Sequence, residues 1–362
     1  MKRRWVLFNP GPVNTSRRVR QALLRGDLCH REIEFTQLLN RVKKNLRDCF
    51  DLGREYEIAF LTGSGTGALE AGLVSCSDPE GTVGVLSNGI YGERLYDILT
   101  TYGFKTRILD FGLGRPYDLR QVESFIKKDP ALRTLAAVHH ETSTGMLNPV
   151  SEVAQIASKN RVTVIADVVS SLGGEALNFH HLDVAVATAN KCIEGLPGVS
   201  FVILKKDIME KMRFWKSRSY YTDLRLYIDR SGHPLVPFTP SVQAFYALDE
   251  ALQALLEETH SGRIARYRRY HQILRRGFKK MGLEFLLPEK FQSNTLTALR
   301  LPRNISYQRL HDALKEKGFV IYAGQKELEN RIFRVANMGQ IKISDLRLFI
   351  SVLGGIVRGK SG

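Results

Sequence analysis

Ala187-Thr188-Ala189-Asn190-Lys191-Cys192-Ile193-Glu194-Gly195-Leu196-Pro197-Gly198 is the stretch on which the reading of this chain turns. It closes the short apolar run Val184–Thr188 and passes at once into a Gly/Pro-rich turn. Most lysines lie on solvated faces and have no role. Lys191 instead follows a strand, the setting of a desolvated amine that reacts with carbonyl carbon. Upstream, Val162-Thr163-Val164-Ile165-Ala166 leads into Asp167. An acid at the carboxyl end of a buried parallel strand points into the crevice where open α/β sheets bind ligands, although alone it serves equally well as a helix cap. Earlier still, Leu61-Thr62-Gly63-Ser64-Gly65-Thr66-Gly67-Ala68-Leu69-Glu70 is a glycine-rich turn opening an apolar helix. Exposed amides and the helix dipole make such a turn a phosphate site. It lacks the ending of a Walker loop and the spacing of the dinucleotide fingerprint, so by itself it is as readily a tight connection. Taken in order, an anion cradle, an acid for a pyridinium nitrogen and an amine for an aldehyde specify one cofactor, pyridoxal phosphate.

Outward from these elements, short apolar runs alternate with helical patterns, the signature of a parallel sheet wrapped by helices. Seven strands are expected: Ile58–Leu61, Val83–Leu86, Thr106–Asp110, Leu135–His139, Val162–Ala166, Val184–Thr188 and Ser200–Leu204, each apolar enough for burial on both faces. A long helical stretch is expected from about Ser241 to roughly Met281. Smaller units follow at Leu283–Leu287, Thr295–Leu301, Tyr307–Lys317, Val320–Tyr322 and Ile332–Val335, with a last helix from Ser344. At 362 residues the chain exceeds the roughly 250–300 residues at which one core stops growing. The division read from it is a large domain over 16–240, a connecting helical segment over 241–280, and a small α+β domain over 281–362 joined by 1–15.

Lys and Arg outnumber Asp and Glu by 53 to 37, a formal charge of +16. That balance admits a nucleic-acid binder, but the densest run, Arg263, Arg266, Arg268, Arg269, Arg275, Arg276, Lys279 and Lys280, is interleaved with Ile264, Tyr267, Tyr270 and Leu274. It reads as the solvated face of an amphipathic helix. Cys29, Cys49, Cys76 and Cys192 are scattered without CxxC spacing, so no disulfide or metal site is expected. With no apolar run near the ~20 residues of a membrane span and no leader pattern, the expected location is the cytoplasm.

The chain resembles the class V aminotransferases along nearly its whole length. The resemblance is carried by Asn9-Pro10-Gly11-Pro12, His30-Arg31 with Glu34-Phe35, Gly63-Ser64-Gly65-Thr66, Glu141-Thr142-Ser143-Thr144-Gly145 and Phe333-Arg334-Val335. Within that class, Asp27–Glu32, Thr144–Pro149 and Ala189–Gly198 are similar to the 2-aminoethylphosphonate:pyruvate aminotransferases. Where that group shows Trp-Arg-Phe-Thr, this chain reads Val236-Pro237-Phe238-Thr239, with Pro240-Ser241 after it.

The resemblance implies an α/β fold of fold type I, with a mostly parallel seven-stranded sheet. It implies that Lys191 bonds pyridoxal phosphate and moves protons, and that Asp167 keeps the ring nitrogen protonated. Ser64, Gly65 and Thr66 would hold the phosphate, with Thr239 reaching it from the second subunit of a homodimer. Thr142 would sit by the phenolic oxygen and Arg334 would clamp the substrate acid, its alternative being an inter-domain ion pair. Tyr91 either stacks on the ring or is a core tyrosine at a helix start. The substrates implied are a small amino donor and a keto acid: 2-aminoethylphosphonate and pyruvate, or, as the departure at 236–239 favours, alanine or serine with glyoxylate or pyruvate. A lyase or desulfurase would need a mobile cysteine, and a nucleic-acid-binding protein would have no use for Lys191 and Asp167.

Overall fold

The computed structural model describes residues 5–228 and 235–359. Residues 1–4, 229–234 and 360–362, which fall within the expected domain spans, lie outside the described residues. All seven expected strands form one sheet: β1 (Tyr56–Gly63), β2 (Thr82–Ser87), β3 (Thr106–Asp110), β4 (Leu132–Val138), β5 (Thr163–Asp167), β6 (Val184–Thr188) and β7 (Gly198–Lys205). Their spatial order is β1-β7-β6-β5-β4-β2-β3. Only β7 runs antiparallel to its neighbours; the other pairs are parallel. Helix α1 (Ile33–Phe50) precedes the sheet in sequence, and α2 (Gly65–Cys76), α3 (Ile90–Thr101), α4 (Leu119–Lys127) and α5 (Val150–Lys159) fall among its strands.

Strand side chains alternate between two cores, as a period of two requires. Val164, Ala166, Phe201 and Ile203 pack with Phe35 and Leu38 of α1. Ile165, Val186, Val202 and Leu204 pack with Leu69 and Leu73 of α2 and Leu95 of α3. The expectation of burial on both faces fails at β3, where Arg107, Ile108 and Asp110 are exposed. This strand is the sheet edge, and Arg107 is held in solvent by Asp129 at 3.0 Å. A charged edge strand offers no template for pairing with another chain.

The helical stretch expected over 241–281 is made of two helices, α6 (Val242–Glu258) and α7 (His260–Lys280). The break is at Thr259, whose φ is +66° and whose side chain accepts from the Gly262 amide at 3.1 Å, capping α7. The new helix turns a different face inward. Arg263 is 0% exposed and Arg275 is buried, which corrects the reading of this run as a solvated face; Arg268, Arg269, Arg276, Lys279 and Lys280 are exposed as expected.

Beyond α7, β8 (Leu296–Arg300), β9 (Tyr322–Ala323) and β10 (Ile332–Ala336) form an antiparallel sheet in the order β8-β10-β9. It is joined by α8 (Tyr307–Glu316) and α9 (Ile343–Val357). The unit expected at Leu283–Leu287 is reduced to a single bridge between Phe285 and Leu299. Val6–Leu7 pairs in parallel with Phe319–Val320, and Phe8 stacks on Phe349 at 4.3 Å. The start of the described chain is thereby packed into the same core as Leu310, Phe333 and Leu353. Among the described residues no helix is long and apolar enough to cross a membrane.

Candidate active site

β1, β5 and β6 all end on one side of the sheet, so the residues just past their ends converge. Ser64, Gly65, Thr66, Tyr91, Asp167 and Lys191 line a single cavity of about 230 Å³. Ser64 caps α2, its hydroxyl accepting from the Gly67 amide at 3.4 Å. The first amides of a helix have no intrahelical acceptor, which leaves those of Gly65 and Thr66 for an anion. A Cβ at Gly65 would meet Val169 at 3.0 Å, so glycine lets the loop sit against the segment that follows Asp167.

Lys191 lies in a turn closed by Glu194 N donating to Lys191 O at 2.9 Å and Gly195 N to Ala189 O at 2.8 Å. Its Nζ donates to the Pro10 carbonyl. Gly11, at φ +121°, passes so close that a Cβ there would overlap the lysine side chain. Burial lowers the amine from its ordinary 10.5 to about 8, with Arg334 and Arg94 adding to the effect and Asp167 opposing it. About a tenth of the amine is therefore neutral and nucleophilic at pH 7, far more than an ordinary lysine offers.

Asp167 is 5% exposed. Its Oδ1 accepts from the Val169 amide at 2.9 Å, the capping contact its position also allowed, and no hydrogen bond to Oδ2 occurs among the described residues. Burial raises the carboxyl from 3.8 to about 6, against the Val169 amide, which lowers it. The native state thus keeps this proton up to about pH 6 while the unfolded chain releases it near 3.8. Stability falls as pH rises through that interval, by about 2–3 kcal/mol once the group is ionised. Cofactor-free Asp167→Asn should be more stable than wild type at pH 7.5, and urea melts should show that advantage vanishing toward pH 4. An advantage unchanged between the two pH values would mean that carboxyl ionisation is not its source.

Tyr91, at the start of α3, is half-buried: it lines the cavity wall and also packs against the core on that face of the sheet. The α3 start that carries it is fixed by Glu141, whose Oε2 accepts from the Tyr91 and Gly92 amides at 3.0 and 3.2 Å. Thr142, Thr239 and Arg334 do not line the cavity. Thr142 is buried, and its carbonyl accepts from Arg334 Nη1 at 3.0 Å. Arg334 also donates to the Ala323 carbonyl at 2.8 Å and to Gln325 Oε1 at 3.1 Å. No carboxylate pairs with it among the described residues, so the inter-domain ion pair is not formed. Thr239 is exposed in the loop before α6.

Three participants were not read from the sequence. Arg94 lines the cavity, Glu141 positions α3, and Pro10 takes the lysine proton donor. Glu141 carried one usable signal, an acid among small residues directly after an apolar strand. Pro10 stands in the Asn9–Pro12 motif that carries the resemblance, without a role given to it there, and Arg94 carried no signal, because its place depends on elements far away in the chain.

The chain matches the family described as aminotransferase class-V over residues 16–348. It belongs to the class V aminotransferases. This aminotransferase is 33% identical over 364 residues to the 2-aminoethylphosphonate–pyruvate transaminase of Salmonella paratyphi B, covering 97% of each chain. Among solved structures it is similar to the alanine–glyoxylate aminotransferase of Nostoc sp., with a TM-score of 0.92 at 24% identity over 98% of this chain and 96% of that one. It is also similar to an aspartate aminotransferase of subgroup IV from Thermus thermophilus, with a TM-score of 0.88 at 27% identity over 98% and 99%. The aminotransferase therefore has the fold-type I architecture expected for it.

Proposed function

We propose that the protein is a pyridoxal-phosphate-dependent transaminase that moves the amino group of 2-aminoethylphosphonate to pyruvate, giving phosphonoacetaldehyde and alanine, or runs the reverse. The observation that carries this reading is the meeting, in one cavity, of a depressed amine, a buried carboxyl and an open helix N-terminus. These groups fit the cofactor: amides at Gly65 and Thr66 for its phosphate, Asp167 Oδ2 for its ring nitrogen and Lys191 Nζ for its aldehyde. When bound, the cofactor supplies that aldehyde and a ring able to accept the electron pair released at the substrate carbon.

Lys191 Nζ would hold the cofactor's aldehyde and, when free and neutral, would take the proton from the substrate carbon bearing the amino group. Asp167, ionised beside a cationic ring nitrogen, would keep that nitrogen protonated. The Arg334 guanidinium, held by Thr142, Ala323 and Gln325 through Nε and Nη1, would offer its Nη2 hydrogens to a carboxylate or phosphonate oxygen of the substrate. One arginine can serve both acids because the two substrates occupy the site in turn. Thr239, exposed at the surface, would reach the phosphate of a second copy in a homodimer. Four free thiols, with Cys29 exposed, fit a cytoplasmic setting. We take 16–240, 241–280 and 281–362 with 1–15 as the units of the chain.

A second reading, an alanine- or serine-dependent enzyme acting on glyoxylate or pyruvate, is favoured by Pro237 where the phosphonate group shows arginine. The visible absorption of the purified holoenzyme separates the two: bleaching by 2-aminoethylphosphonate supports the first and bleaching by L-alanine alone the second. Arg334→Ala should lower kcat/KM for the donor about 10²-fold, chiefly through KM, with the visible band intact. An unchanged KM would remove Arg334 from the substrate site.

A further inference from the structure

The phosphate cradle described above is built from neutral donors, the amides of Gly65 and Thr66 and the Thr66 hydroxyl. A phosphate monoester carries close to two negative charges at neutral pH. Helix amides alone hold such a group, but a cation within reach makes the contact charge-assisted and roughly twice as strong.

Arg94 is the cation this cavity places beside the cradle. It sits one helical turn after Tyr91 on α3, on the same face, and its Nη1 lies 3.5 Å from Thr66 Oγ1. Its guanidinium carbon is 4.6 Å from the centre of the Tyr91 ring, a cation–π contact that orients the fork. Among the described residues no carboxylate lies within ion-pair distance of Arg94. The neighbouring Glu93 points elsewhere, to Lys326. Lys191, the other cation lining the cavity, is turned to the Pro10 carbonyl. Arg94 therefore has a free guanidinium edge next to the residue that opens α2, and its orientation is fixed from below by an aromatic ring whose own backbone is anchored on Glu141.

We propose that Arg94 is a direct ligand of the cofactor's phosphate, closing the cradle on its Thr66 side. The proposal rests on the reading of Ser64–Thr66 as the phosphate site and adds a residue to it. The same contact explains why an aromatic side chain is followed three positions later by arginine: the ring that walls the cavity also holds the phosphate's counter-charge in place.

The test compares pyridoxal phosphate with pyridoxal, which has the same ring and aldehyde but no phosphate, binding to the full chain freed of cofactor. Arg94→Gln should weaken pyridoxal phosphate by up to about 10²-fold and pyridoxal by no more than about 2-fold, with Arg94→Lys between. Equal weakening of both ligands would mean that Arg94 only supports Tyr91, and no weakening of either would remove it from the site; each overturns the proposal. If wild type itself binds the two ligands equally, the phosphate cradle falls and Arg94 falls with it. A measurement on wild type alone guards against a variant that fails to fold. Inorganic phosphate should protect Arg94 from a guanidine-directed dicarbonyl reagent, read by peptide mapping, and modification at the unprotected rate would overturn the assignment.

Discussion

Lys191→Ala should lower kcat/KM by about 10⁴-fold or more, because no other group in the site can take its proton. His139 and His140 are both near, but burial drives them to about 4 and about 3, so they are poor bases. His139 is further tied to Ser171 Oγ at 3.0 Å. The arginines beside them are guanidinium groups, donors without an acceptor site for a proton. The adjacent Cys192 thiol is fully buried, and burial pushes its ionisation upward, which also leaves it unfit as the mobile nucleophile of a desulfurase. The loss should be read in a single-turnover reaction with the amino donor, together with the disappearance of the visible band. Small exogenous amines should restore part of the rate. A variant that keeps the band and turns over within about 10-fold of wild type would show that a different amine carries the chemistry.

The second large effect is on stability. Arg263 is fully buried: Nη1 donates to the Cys192 carbonyl at 2.9 Å and Nε to Glu258 Oε2 at 2.5 Å. Glu194, three residues past the reactive lysine, lies 3.7 Å from Arg263 and accepts from Arg266 at 2.7 Å, Tyr267 at 2.6 Å and Gln340 at 2.5 Å. Removing one partner from such a buried set leaves charge uncompensated, which costs about 3–5 kcal/mol. Arg263→Met should lose that much in urea melts, with the slope against urea unchanged. Arg263→Met with Glu194→Gln should cost clearly less than the two singles together, because both changes loosen one shared network and not two independent contacts. Strict additivity would mean that the two groups do not act as a network.

The seven strands were legible because each is a short apolar run bounded by breakers, and the order of loop, acid and lysine was legible because each member sits just past a strand end. The exposure of β3 was not, since Thr106-Arg107-Ile108-Leu109-Asp110 becomes an edge only through the sheet order. The break at Thr259 was missed although its signal was present: Thr259 stands three residues before Gly262, the spacing of a side-chain cap, but neither proline nor a composition change marks it. Misplacing that break also hid Arg263, whose partner Glu194 belongs to the lysine turn. Local pattern located the residues that follow strands. It could not locate Arg94 or Pro10, which reach the cavity because of how distant segments pack.

Gly11 and Lys191 are 180 positions apart, yet the lysine side chain occupies the space a Cβ at position 11 would need. A larger residue at 11 would have to adopt a backbone angle that L side chains rarely take, and it would push the flexible end of the lysine aside. A change near the start of the described chain would thus be felt at the reactive amine.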